Sequence, residues 1–495
     1  MKTPSNLLIQ VWDRLRSSLW FVPSLLVSGM IALAIVLVYG IGTLNETIVE
    51  YFPKILGAGA DGARGLLTAI ASSMITVAGV TFSITIVVLS QTANQYSPRI
   101  LPNFMRDRFN QAVLGTFVGI FAYCLVVVRT IRGGDDEFVP SLAVFVSVVL
   151  ALIGVGVLIA FIHHIIASIQ SGQIIAEAAV ETLHAVDHLF PEPIGEPLPE
   201  DGDPAIARFL GETAWLPIPA RRSGYLCRVD SNLLIELAER FNAVLRMEYA
   251  PGDFCVVGMP LVSLASVPVS ISPRGEVENR RVLLDSIDGE QQRDEAKIDQ
   301  LAKDLDGLYS FGRNRTVGQD VGFGIQQIVD VALKALSPGV NETTTAVTCI
   351  HHLTVINSRL AARKIETRQR AKDGRLRVIA QRPTFESILD QSFDEIRRNA
   401  EGNVTILEEL LTAMQTIGVF ARDEHRRRSV LRHVDTIAEL ADRSVVAPSD
   451  RAVMEPRIRQ VLESLGDPNA GSWTMGAKPS NAIAPPEGRN EVNGS

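Results

Sequence analysis

Charge is missing where a proton-coupled carrier would need it: no Asp, Glu or Lys lies inside any of the four long apolar runs of this chain. Such carriers place a carboxylate near the middle of the bilayer, so that class is disfavoured. Cysteine is scarce as well. Its four residues, Cys124, Cys227, Cys255 and Cys349, are scattered and form no C-x-x-C pair, which argues against a disulfide scaffold or a zinc knuckle and fits a reducing compartment. There is no Walker loop, no G-x-S-x-G elbow, no H-E-x-x-H and no Rossmann fingerprint. No catalytic constellation assembles, so neither an enzyme nor a cofactor nor a resident metal is expected. A net charge of −8 also disfavours a broad nucleic-acid surface.

What is present is a chain of two kinds of sequence. Its 495 residues are enough for two or three domains, and a mean hydropathy of +0.19 lies between soluble and all-membrane proteins. The apolar runs crowd before about residue 165. Crossing about 30 Å of hydrocarbon takes roughly 20 helical residues, and four stretches qualify: 21–40, 66–90, 112–130 and 142–162. Trp12, Trp20 and Tyr39 sit like interfacial aromatics around the first. A signal peptide fits it poorly, because Ala32 and Ala34 lie inside the run rather than after it. A re-entrant second segment is the main competing arrangement. Lys2, Arg14, Arg16, Arg99, Arg106 and Arg108 flank one side of the spans; Glu46, Glu50, Asp61, Asp135, Asp136 and Glu137 occupy the loops on the other. The excess of basic residues places both termini in the cytoplasm of a plasma (inner) membrane, with everything after Ile162 also cytoplasmic.

The second span is unusual. At 100° per residue, Gly65, Thr68, Ser72, Thr76, Gly79, Ser83 and Ser90 share one narrow stripe, while Ser73, Thr81 and Thr85 fall off it. Two uses fit. Small residues let helices approach and hydroxyls bond across them, or the stripe lines a water-filled path between subunits.

Beyond the spans, residues 166–190 read as a helical stalk stopped by Pro191 and Pro193. His163 and His164 lie just before it and His184 and His188 along it; no acidic or cysteine partner completes a metal set in the sequence, so they read as solvated or interfacial side chains. An acidic, proline-rich linker covers Pro191 to Gly211, and residues 212–290 read as a small α/β or β-rich module. Helices dominate 291–465: Asp294 to Tyr309, Val321 to Leu336, Thr343 to Lys364, Phe385 to Ala400, Val404 to Phe420 and Asp423 to Asp442. From 466 to 495 the composition predicts a disordered tail. The fold class expected is therefore an α-helical integral membrane protein of four transmembrane helices, carrying a mixed α/β, mostly helical cytoplasmic domain.

Three polar motifs stand out in that domain. Arg313, Arg315 and Thr316 lie just before Asp320 and a helix start; Asp320 either caps that helix or pairs with Arg315, or the group binds an anion. In "SPGVNETTTA", Pro338 and Gly339 stop one helix and Asn341 is placed to cap the next. Two basic stretches, one from Arg359 to Arg377 and one from Arg422 to Arg432, read as solvated faces, with lipid-headgroup or nucleotide binding as the alternative.

"VTFSITIVVLSQTANQYSPR", "SGYL…PGDFCVVGMPL", "GRNRT…QD" and "ALSPGVNETTTA" together resemble a bacterial family of predicted membrane proteins known as domain of unknown function 2254. The resemblance runs from the first span to about residue 445 and implies membrane class and organisation, but no activity. With the stripe, the stalk and the absence of buried charge, the expectation is a homo-oligomeric channel for ions or small solutes, gated by its cytoplasmic domain. The rival is a non-conducting sensor or scaffold anchored in the membrane. The partners expected are the lipid bilayer and further copies of the chain, and no nucleic acid.

Overall fold

The computed structural model describes residues 20–40, 59–95, 107–133, 138–168, 171–189, 196–197, 213, 215–266, 301–363, 369–372 and 375–476. Lys2, Trp12, the charges at 46, 50, 99, 106 and 135–137, and most of the Pro191–Gly211 linker lie outside these residues. The chain divides into two compact units, Met1–Glu177 and Ala178–Ser495.

The first unit is built from α1 (Phe21–Ile35, prolonged by a π turn Val36–Gly40), α2 (Ala60–Gln95), α3 (Arg108–Thr130) and α4 (Ser141–Ser168). Four helices among the described residues are long and apolar enough to cross a membrane: Phe21–Tyr39, Ala60–Gln91, Arg108–Thr130 and Ser141–Ile166. Helix α2 is a single unbroken helix of 36 residues, without the internal turn a re-entrant segment needs. At 1.5 Å per residue it is about 54 Å long, well beyond the hydrocarbon thickness.

Helix α3 is the hub, packing against the other three, and its sequence shows why. Gly115 and Gly119, one turn apart, form a groove for α1: a Cβ at 115 would lie 2.8 Å from Pro23 Cα, and one at 119 would lie 2.9 Å from Met30 Cγ. Small residues four apart permit such close approach in lipid. Its other faces bury Phe117, Ile120, Tyr123 and Val127, and the Tyr123 hydroxyl donates to the Ala143 carbonyl of α4 at 2.8 Å. Asp107 caps α3 by accepting from the Phe109 amide.

Helix α5 (Ser171–Leu189) contains the division between units. The second unit is mixed. Strands β1 (Glu196–Pro197), β2 (Leu216–Pro219), β4 (Ala243–Met247), β6 (Pro260–Ser266), β8 (Gln369–Lys372) and β9 (Arg375–Ile379) form a six-stranded sheet in the order β1-β8-β9-β4-β6-β2. All its pairings are antiparallel except β4 with β9. A three-stranded sheet runs β5-β3-β7, from Phe254–Cys255, Gly224–Val229 and Tyr309–Gly312. Helix α6 (Ser231–Arg240) starts where the Asp230 carboxylate accepts from the Leu233 amide. The helical part comprises α7 (Val321–Leu336), α8 (Thr343–Ala361), α9 (Phe385–Arg398), α10 (Val404–Phe420), α11 (Glu424–Ser444) and α12 (Pro448–Ser464). Thr384, Asn403 and Asp423 cap α9, α10 and α11, each satisfying a first-turn N–H that the helix leaves unpaired.

Several expectations need correcting. The parallel pairing of Leu245 with Val378 and Arg246 with Ile379 joins β4 to β9, so the sheet draws on both sides of the boundary expected at residue 290. Tyr309 belongs to β7, not to a helix; residues 301–308 are helical, and 294–300 lie outside the described residues. Asn341 does not cap α8. It takes a left-handed φ of 48°, with its own amide donating to the Ser337 carbonyl at 2.9 Å; Asn tolerates that conformation better than most residues. The stretch from 466 is not featureless either. A 3-10 turn, Ala470–Ser472, lies where Arg459 Nη2 donates to the Trp473 carbonyl at 3.3 Å, and Ala470 is only 2% exposed. Residues 477–495 lie outside the described residues.

Candidate functional site

The stripe on α2 faces outward. Its buried edge is Ala63, Leu67, Ala71, Met74, Ala78 and Thr81, whereas Gly65, Thr68, Ser72, Thr76, Gly79, Ser83 and Ser90 are all exposed. A Cβ at Gly65 or Gly79 would meet nothing within 4 Å. No packing among the described residues therefore accounts for these small residues. The hydroxyls are not idle: Thr76 Oγ1 donates to the Ser72 carbonyl at 2.7 Å and Ser83 Oγ to the Gly79 carbonyl at 2.9 Å. Such i−4 bonds satisfy a hydroxyl without any external partner.

At one end of the same unit, Asp107 Oδ2 and His164 Nε2 lie 2.7 Å apart, and the His164 ring meets that of Phe109 at a 48° tilt, centroids 4.5 Å apart. His164, read from sequence as a solvated or interfacial side chain, thus ties the start of α3 to the end of α4. No group of three His, Cys, Asp or Glu side chains capable of holding a metal occurs among the described residues.

In the second unit the motifs converge on Asp320. This carboxylate is 7% exposed and receives Arg315 Nε at 2.7 Å on Oδ2, Arg315 Nη2 at 3.0 Å on Oδ1 and the Phe323 amide at 3.0 Å on Oδ1. It is both the cap of α7 and one half of a bidentate ion pair. Burial pushes its pKa up, the Asp253 charge adds to that, and the Arg315 guanidinium and Phe323 amide oppose it. Gly252, at φ 100°, packs the Pro-Gly-Asp turn directly on this carboxylate: a Cβ at 252 would lie 2.6 Å from Asp320 Cγ. Asp253 in turn accepts from the Ala250 amide at 2.7 Å. Cys227 lies alongside, its Sγ 3.4 Å from the Asn314 carbonyl, and burial raises its thiol pKa, which leaves the thiol unactivated. Gln391 of α9 completes the shell, donating to the Gly322 carbonyl at 2.8 Å.

The structure therefore brings Arg315 and Asp320 together and leaves Arg313 apart, exposed on the bend after β7. The N-terminus of α7 is already occupied by its own carboxylate, so an incoming anion would have to displace Asp320. Gly252, Cys227 and Gln391 were not selected from sequence. The Pro-Gly-Asp turn was the available signal for the first, because a glycine after proline marks a position that needs positive φ.

The basic stretches are solvated faces only in part: Arg422, Arg427 and Arg428 are exposed, while other members are held by the fold. Arg359 and Arg363 of the α8 end both pair with Asp187 of α5, and Arg363 Nη1 donates to the Val186 carbonyl at 2.7 Å. Arg426, 9% exposed, donates to the Ala361 carbonyl at 2.8 Å and also to that of Arg363. Arg377 is 8% exposed and reaches Asn242 Oδ1 at 3.3 Å. Arg432 pairs with Asp390 and Glu386, beside the buried His433, whose Nε2 is 2.8 Å from Asp390 Oδ1. Lys364 and Arg368 lie outside the described residues.

Comparison with known proteins points one way. The family described as "Predicted membrane protein (DUF2254)" matches residues 16–416. Uncharacterized proteins of Mycobacterium bovis and Mycobacterium tuberculosis are 29% identical over 469 residues, covering 92% of this chain and 83% of theirs. No solved structure matches.

Proposed function

The chain belongs to the DUF2254 family of predicted membrane proteins, and from that premise we propose that it is a homo-oligomeric channel for ions or small solutes, without catalytic activity, gated by its second unit. The observation that supports this reading is the outward stripe. An exposed row of Thr68, Ser72, Thr76, Gly79, Ser83 and Ser90, on a helix whose other face is packed, suits a surface shared between copies around a polar path. The host membrane in this reading is the bacterial inner membrane, with both termini cytoplasmic.

The rival, a non-conducting sensor or scaffold, is supported by the back-bonded hydroxyls of Thr76 and Ser83, which lipid would tolerate without a pore. One experiment separates the two. Cysteines placed at Thr76 and Ser83 react with small water-soluble thiol reagents if a path is wet, while one at Met74, on the packed face, does not. Accessibility is read beside oligomer mass in nanodiscs and flux from liposomes. An intact oligomer with both positions inaccessible and no flux at any voltage removes the channel and leaves the scaffold.

A further inference from the structure

The three-stranded sheet ends in a cap that none of the described residues of its own unit covers. At the Gly224 end of β3, its two neighbours pass their last pairings, Gly224 with Cys255 and Tyr225 with Gly312. There the chain presents Phe254 at 53%, Val256 at 45%, Val257 at 56% and Met259 at 51% exposure. Four exposed apolar side chains within six residues are a patch, not scattered surface hydrophobes.

The cap is held firmly. The Val257 amide donates to Ser223 Oγ at 2.9 Å, the Gly258 amide to the Ala220 carbonyl at 2.9 Å, and the Ala220 amide to the Met259 carbonyl at 2.8 Å. Tyr225 meets Phe254 edge-on at 5.1 Å. Gly258, at φ 87° with open space around it, supplies the left-handed turn at the tip.

Three arginines and two aspartates border this cap. Arg221 and Arg222 immediately precede Ser223, and Arg313 follows Gly312; all three are exposed. Asp253 is exposed beside Phe254, though its carboxylate accepts from the Ala250 amide. Asp306 binds Arg222 through both oxygens, with Nε at 2.7 Å and Nη2 at 2.6 Å. A rigid apolar tip ringed by arginines matches the boundary between acyl chains and anionic headgroups, which takes apolar side chains inward and basic ones at the surface. This chain also carries four candidate spans, so a bilayer is always tethered to the unit at high effective concentration.

We propose that the Phe254–Met259 tip, with Arg221, Arg222 and Arg313, is a lipid-docking surface that rests in the interface of a bilayer containing anionic lipid. It is independent of whether the stripe conducts.

The test uses the full chain in nanodiscs at one copy per disc, so both leaflets are equivalent and orientation is immaterial. An environment-sensitive dye is attached at Val257→Cys in a Cys227→Ser background, with Val446→Cys, a fully solvated position, as reference. Discs of zwitterionic lipid are compared with discs containing phosphatidylglycerol. The expected result is a blue-shifted dye at 257, quenched by lipid-borne quencher in anionic discs, weakened by salt and by Arg221→Glu with Arg313→Glu, and no change at 446. If Val257→Cys does not fold, Met259→Cys carries the same readout. A dye equally wet in both discs overturns the proposal. So does a dye protected only when unlabelled protein is added in detergent without lipid, which would make the tip a contact between copies.

Discussion

Gly252 and Asp320, far apart in sequence, meet face to face: the turn that carries the glycine lies so close to the carboxylate that any side chain at 252 would displace it. Position 252 also has a φ of 100°, which costs an L-residue on the order of 1–3 kcal/mol. Gly252→Ala is therefore expected to lower the melting temperature of the second unit and to break the Arg315–Asp320 pair. Asp320→Ala should cost more, roughly 3–5 kcal/mol, because it leaves Arg315 partly buried without its charge partner and α7 without its cap. Thermal melting of the full chain in nanodiscs checks both. Equal stability of Gly252→Ala and wild type would show that the turn moves aside freely.

Asp390 sets an acid limit. Burial alone would raise its carboxyl, but the hydrogen bond from His433 and the charges of His433 and Arg432 outweigh it and hold the pKa below the ordinary value. A carboxyl lowered on folding contributes stability that is complete above the unfolded pKa and is lost as pH falls through the folded one. The wild-type melting temperature should thus fall as pH drops below about 4, and Asp390→Asn should flatten that limb while lowering stability at neutral pH. Parallel melting curves across pH for the two proteins decide it.

The α1–α3 groove predicts a graded response. Gly119→Val puts side-chain atoms into Met30, and an overpacked interface typically costs about 1–3 kcal/mol. Gly156 on α4 has nothing within 4 Å, so Gly156→Ala should be neutral or slightly stabilising. Resistance to unfolding in a denaturing detergent series should be lower for Gly119→Val than for Gly156→Ala; the opposite result would place α1 elsewhere.

Ending the chain after Gly466 removes the turn against which Arg459 and Glu455 of α12 bond, through the Trp473 carbonyl and the Met475 amide. Compared with a chain ending at Gly476, it should melt at lower temperature. Coincident melting curves would show that the turn contributes nothing.

Where start and stop signals were strong, the sequence defined its own elements. Helix α10 runs from the Asn403 cap to Phe420, and α7 from the Asp320 cap to the Ser337-Pro338 break, as their flanking residues require. Strands β7 and β8 were missed because each is four residues long, too short for a period to register. Helix α12 was hidden by Pro456 within it. The stripe's composition was visible, but its outward direction was not, because a helical wheel fixes relative angles and not which side meets a neighbour. The arginine clamps were misread for a similar reason. Charge runs say nothing about carbonyls waiting on another helix.

Those clamps bear on the order in which the protein is made. The last carbonyls of α5 and α8 are capped by guanidinium groups rather than by a local glycine turn: Val186 by Arg363, and Ala361 and Arg363 by Arg426. A ribosome extrudes α5 first and α11 last of the three. The finished end of α5 therefore waits for Arg363 and that of α8 for Arg426, and during synthesis water must hold those carbonyls until each arginine leaves the exit tunnel.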